Sequence, residues 1–249
     1  MKKLLLACFI ASVQFIFGQS AFQQYCQTAY QLYPSIPRGV LEAHAFIQTR
    51  MQYLNGSEME SCSGLPLGYG YFGLIENGKN YFNENLKYIA TKSHYSIQQI
   101  KTNPQTEVIA VATVWNNLLL SKQQLPVQQA LKEVLNLLSY IPDTGNVNLF
   151  AKDAEAYEFF RFLSKVENAQ NYQFQPYSFQ FEELFGSNNY TILSSPKIEL
   201  TENGIQNSLG IKYETINSQD ATKSAEYGPA IWNAAPSCNF SSRNGTAIS

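Results

Sequence analysis

Charge is what this chain has least of. Only 14% of its 249 residues are Asp, Glu, Lys or Arg, and the formal net charge is -2. The isoelectric point falls near 5.8. No Lys/Arg-rich tract occurs, so the electrostatic footprint of a nucleic-acid binder is missing and no such partner is expected. Histidine is scarcer still. His44 and His94 are the two present, without the C-x-x-C or H-x-x-x-H spacing of a zinc site, so no metal is expected in this chain. No Ser/His/Asp or Cys/His set assembles around them, and the reading for both is a hydrogen-bonded, partly buried ring. After residue 17 no apolar run approaches the roughly 20 residues that cross a bilayer.

Apolar and aromatic residues are plentiful. Hydrophobic residues make up 45% of the chain, with 16 Tyr and 16 Phe, which is ample for a core and excludes wholesale disorder. Aromatic-rich surfaces low in charge also suit sugar binding, though core packing consumes most aromatics. Met1-Lys-Lys followed by apolar Leu4 to Phe17 and the small or polar Gly18 to Ala21 has the build of a secretory signal over residues 1–20. A secreted or periplasmic protein is expected, with no membrane association once the signal is removed. Cys8 lies inside the apolar run, which argues against a lipoprotein. Export leaves Cys26, Cys62 and Cys238. Cys26 and Cys62 flank one helix and can pair, closing a loop worth about 3–4 kcal/mol in the chain-entropy model. Cys238 is then left over.

The periodicity predicts a mainly α protein. A first helix covers residues 22–33. Ser35 and Pro37 cap and open a second, with Val40, His44, Ile47, Met51 and Leu54 on one stripe, Leu41, Ala45 and Gln48 on the next, and a stop at Asn55-Gly56. Residues 64–78 hold five glycines and read as a loop rather than a regular element. Its G-x-G-x-x-G, Gly68 to Gly73, comes after no strand and is not a dinucleotide fingerprint. Further helices are expected over 80–91, 96–100, 107–120 (almost unbroken apolar, hence central), 127–140 and 151–166. Residues 170–195 read as irregular packing with one short helix at 181–185. Residues 196–249 alternate weakly and read as a linker or tail. The expected domains are thus a helical body over 21–195 and a partly extended segment over 196–249.

Ile36-Pro37, Val40-Leu41, Ala43, Ala45, Gln48-Thr49 and the later Gly70-Tyr71-Phe72-Gly73-Leu74 together resemble the lysozyme-like fold of lytic transglycosylases and goose-type lysozymes. In that family a helix of the form (V/I)P..LL.A(I/V)A..ES precedes a glycine turn of the GA.GLMQ type. Asn103 to Leu119 is similar to a later helix of the family, and Leu137-Leu-Ser-Tyr140 echoes LAAYN with Ile141 in place of its asparagine. The resemblance spans roughly residues 34–145 and rests on order and spacing. It implies a groove for peptidoglycan glycan strands, lined by Gln48, Gly70, Tyr71, Phe72, Gly73 and Tyr140.

Gln48 stands where the family's catalytic glutamate belongs. Glycosidic cleavage needs a general acid, and an amide cannot donate that proton. The resemblance therefore implies binding without cutting. Glu42 and Glu76 are outside candidates for an acid. Glu42 precedes Gln48 by six residues and points about 240° away around a helix, so a solvated helix face is the reading for it; Glu76 reads as an ordinary loop carboxylate. A glycosidase that uses one of them, and a non-enzymatic surface module without sugar affinity, are the competing functions.

Near the end, Gly228-Pro-Ala-Ile-Trp232-Asn-Ala-Ala-Pro236, Asn239, Arg243, Gly245 and Ile248 resemble the lead-in of zinc-dependent N-acetylmuramoyl-L-alanine amidases. There P..N...R.G..I runs into the strand bearing the first zinc histidine. The resemblance implies an amidase domain, with its zinc, after Ser249, and a cell-wall hydrolase to which the helical domain brings peptidoglycan affinity.

Overall fold

The computed structural model describes residues 20–57, 65–201 and 204–214. Residues 1–19 of the expected signal, Cys62, Gly64, Cys238 and the amidase-like motif lie outside them, while Ser20 lies inside. The described chain is mainly α, with ten helices and two small antiparallel hairpins. Among the described residues no helix is long and apolar enough to cross a membrane.

Helix α1 (Ala21–Leu32) opens on a capping box, in which Gln23 N–H donates to Ser20 Oγ while the Gln23 side chain accepts from Ser20 N–H. That arrangement satisfies two of the otherwise orphaned donors. Helix α2 (Val40–Thr49) begins five residues after Ser35 and ends six before Asn55, shorter at both ends than the sequence suggested. The cause is local backbone. Gly39 holds φ 90° and Arg50 and Met51 hold φ 56° and 61°, so left-handed residues bracket the helix. A Cβ at Gly39 would press on the Phe174 ring at 2.9 Å and on Leu163 at 3.0 Å, which is why only glycine lets this turn seat against them.

Strands β1 (Gly68–Tyr69) and β2 (Leu74–Ile75) form a hairpin with Gly68 opposite Ile75 and Tyr69 opposite Leu74, a regular element where a loop was expected. Helix α3 (Asn85–Ser93) starts five residues later than expected, and α4 (Ile97–Thr102) is capped by Ser96. Helix α5 (Pro104–Ser121) has Asn103 as its cap and Pro104 in its first turn. Its residues 107–112 are buried, as are Val114 and Trp115, and α1, α3, α4 and α6 (Val127–Leu138) pack around it. This is the central helix that the apolar run announced. Helix α7 (Asn146–Ser164) packs on α2 and brings Phe159 to stack on Trp115 with the rings 6.1 Å apart and 8° from parallel. Each large side chain buried there contributes about 1.5–3 kcal/mol.

Residues 166–193 are more regular than expected, forming α8 (Val166–Tyr172), α9 (Phe181–Phe185) and α10 (Ser187–Leu193). The second hairpin, β3 (Ile198–Thr201) with β4 (Gly204–Asn207), lies in the segment read as a linker. Beyond β4 the chain is fastened to the helices. Tyr213 OH donates to Asp153 Oδ2 at 2.6 Å, and Glu214 exchanges backbone bonds of 2.8 Å with the Asn189 side chain.

Candidate functional site

The sequence-derived site divides in two. Gln48 and Gly73 meet at the C-terminal end of α2, and Tyr140 feels the charge of Glu155, the carboxyl that Gln48 contacts. Gln48 and Thr49 form the last turn, and Thr49 Oγ1 donates to Tyr71 O at 2.6 Å, tying that turn to the hairpin. Gly73 lies against the same turn, where a Cβ would stand 3.4 Å from Thr49 Cγ2 and 3.6 Å from Gln48 Cβ. Tyr140 arrives from the segment after α6.

That segment is hung from the approach to α3. Asn83 N–H donates to Tyr140 O at 2.7 Å, and Asn83 Nδ2 donates to Ile141 O at 3.1 Å. The buried Asn85 accepts from Ile75 N–H at 2.7 Å and donates to Leu138 O at 2.9 Å, joining β2 to the end of α6. The Phe82 ring meets Tyr140 edge-on at 5.7 Å.

The group that connects these pieces is Glu155, which the sequence did not single out. Gln48 Nε2 donates to Glu155 Oε1 at 3.3 Å, and Ser139 Oγ donates to Glu155 Oε2 at 2.8 Å. Burial pushes the Glu155 carboxyl above its ordinary range, an effect only partly offset by the Ser139 and Gln48 hydrogen bonds and by the Lys152 charge. The Tyr140 phenol is raised by burial and by the neighbouring Glu155 charge. Glu155 occurs within a run of α7 dominated by aromatics, where one more carboxylate gave no signal.

The other three expected ligand contacts face elsewhere. Gly70, at φ 73°, turns its Cα toward the Glu107 carboxylate, with which any Cβ would collide. Glu107 is fully buried and accepts from Tyr71 N–H at 2.9 Å and Phe72 N–H at 3.0 Å. Desolvation outweighs those two donors and raises its pKa to about 8. The Phe72 ring is 0% exposed, between Phe22 and His44, so no ligand reaches it. Tyr71 packs its ring on Phe22 at 4.4 Å and Tyr53 at 5.1 Å. This half of the glycine turn is scaffolding for Gly73.

Glu42 is corrected outright. Instead of a solvated face it is 3% exposed, accepting from Tyr30 OH at 2.5 Å, and burial raises its pKa. Glu76 pairs with Lys101 at 2.7 Å. Neither hydrogen-bonds Gln48. His44 is 1% exposed and its Nδ1 accepts from Trp115 Nε1 at 3.1 Å. Desolvation lowers its pKa to about 3, so the ring is a neutral part of the core. Cys26 carries a free thiol at 0% exposure, raised by burial, and its expected partner Cys62 lies outside the described residues.

Two recesses lie away from Gln48, both reached by Arg38, at the N-terminal end of α2. Among the described residues no group of His, Cys, Asp and Glu could hold a metal ion. Chemically, the end of α2 brings an amide and a buried hydroxyl onto one carboxyl of raised pKa, with the half-buried Tyr140 phenol within its field. No protein-family model matches the chain, no curated protein matches it, and no solved structure matches it.

Proposed function

We propose that this chain is the peptidoglycan-targeting part of an N-acetylmuramoyl-L-alanine amidase, exported from the cell, whose helical body holds glycan strands at the C-terminal end of α2 without cutting them. The observation that carries this reading is the convergence of Gln48, Gly73 and Tyr140, drawn from three separated motifs, around one set of hydrogen-bonding groups. Gln48 can orient a sugar hydroxyl or acetamido group but supplies no proton to a leaving oxygen. The amidase-like residues 228–248 support the coupling to amide hydrolysis. In that enzyme class a zinc ion would supply the activated water for hydrolysis of the amide between the muramic lactyl group and L-alanine.

Co-sedimentation of the full chain with purified sacculi tests the binding. Tyr140→Ala and Gln48→Ala should each reduce the bound fraction several-fold, and a wild-type protein that stays in the supernatant overturns the reading. Release of reducing ends or anhydro-sugars would overturn the non-cutting half.

Glu155 favours a second reading. A carboxyl of raised pKa, bonded to the amide at the expected acid position, is the kind of group that acts as a general acid. In this reading the proton donor has moved from α2 to α7 and the chain is a glycosidase. Turnover of sacculi that disappears in Glu155→Gln would establish it in place of the first.

A further inference from the structure

The Ile36-Pro37-Arg38-Gly39 segment stands out in the sequence as a helix start, yet Arg38 has no part in the groove at Gln48. It stands at the opposite end of α2, about 15 Å away at 1.5 Å per residue. There it borders an open recess of about 710 Å³, also lined by Gln170, Gln173, Phe174, Gln175 and Tyr177. That volume lies within the range of small-molecule sites.

The recess is firmly built. Gly39 lets the Phe174 ring rest on the backbone beside Arg38. Tyr177 OH donates to Arg38 O at 2.9 Å, Tyr177 N–H to Leu163 O at 3.0 Å, and Phe174 N–H to Ala169 O at 3.0 Å. The Phe174 and Tyr177 rings stack at 6.2 Å, and Tyr177 stacks in turn on Phe179 at 5.7 Å. The wall is thus held by its own contacts, and such preorganisation lowers the ordering cost of binding.

Among the described residues lining the recess, Arg38 alone is charged. Its guanidinium lies over the Tyr30 ring, 5.1 Å from the centroid, and forms no ion pair with a described residue. Glu42, the acid whose charge it senses, is buried and bonded to Tyr30, and its carboxyl is pushed toward the neutral form. Arg38 borders both this recess and the smaller one that Tyr30 and Glu42 line, its planar fork held over the Tyr30 ring. A guanidinium fork matches a carboxylate bidentately. A phosphate draws several cations, whereas the remaining polar lining here is neutral amide, suited to the hydroxyls and amides around a single carboxylate.

We propose that this recess is a second ligand site, separate from the groove at Gln48, which takes a small carboxylate-bearing ligand on Arg38 with the glutamine amides around it. The carboxylate can come from an acidic sugar or from a peptide C-terminus. Calorimetric titration of the full chain with N-acetylmuramic acid, N-acetylglucosamine and N-acetyl-alanyl-alanine separates the two sources, since the two sugars differ by the lactyl carboxylate.

At least one of the two acids should bind, and N-acetylglucosamine should not compete for that site. Arg38→Gln, which keeps the carbonyl bonded by Tyr177, should weaken the acid at least tenfold, with partial recovery in Arg38→Lys. Tyr140→Ala should leave this binding unchanged whatever it does to sacculi, so the two sites fail or succeed separately. Absence of binding by both acids at millimolar concentration, or equal affinity in Arg38→Gln, overturns the proposal.

Discussion

Gln48 on α2 donates its side-chain amide to Glu155 on α7 across 3.3 Å, so the position expected to carry an acid is bonded to one. Ser139 holds the other carboxylate oxygen. Replacing the amide by a carboxyl would set two acids against each other with one proton to share. Gln48→Glu should therefore lose about 1–2 kcal/mol of stability relative to wild type at pH 8 while staying near it at pH 5. Urea unfolding at the two pH values measures the difference.

Two buried groups give the fold opposite pH limbs. Glu107 is raised from 4.5 to about 8, so the folded state keeps a proton that the unfolded chain releases. Stability from this group is full below pH 4.5 and is lost as pH rises to 8, about 5 kcal/mol in all. His44 is lowered from 6.5 to about 3. Its contribution is full above pH 6.5 and is lost as pH falls toward 3. Between 4.5 and 6.5 the two trends oppose each other, so stability should plateau there and decline on both sides. Glu107→Gln should flatten the alkaline limb in urea titrations across pH 5 to 9, at a cost at pH 5 of about 1 kcal/mol for one unmatched N–H.

Gly70→Ala should cost about 2–4 kcal/mol, because the new methyl meets the Glu107 carboxylate and the residue must hold φ 73°. Gly186→Ala at φ 79° has open space around its Cβ position and should cost about 1 kcal/mol from backbone alone. Thermal melts of the pair separate the steric from the conformational part.

The Cys26 thiol, fully buried and with its pKa well above the ordinary range, should resist an aromatic disulfide reagent in the native protein and react once urea unfolds it. Rapid native-state labelling of Cys26, located by peptide mass, would contradict this packing.

Most helices were legible because their apolar residues recur at helical spacing. Glu107 to Leu120 announced α5, which runs Pro104–Ser121, and Phe181 to Phe185 announced α9 with its observed ends. The ends of α2 were less visible, since Arg50 and Met51 take left-handed φ in response to packing rather than to their own type. Gln48 and Gly73, which the fold brings together, could be picked from motif order. Glu107 and Glu155 could not. Each sits in an apolar or aromatic run and acquires its role from partners 35 and 107 residues away, a relation that periodicity does not encode. Asn83 and Asn85 escaped for the same reason: their amides serve backbone carbonyls at the end of α6 and just after it.

The phenol of Tyr213 is hooked to Asp153, two residues ahead of Glu155 on α7. Tension on the chain beyond residue 214 would reach the helical body at that hook, within one turn of the carboxyl that touches Gln48. The ligand proposed for the Gln48 end of α2 and any pull from beyond residue 214 would then act on the same stretch of α7.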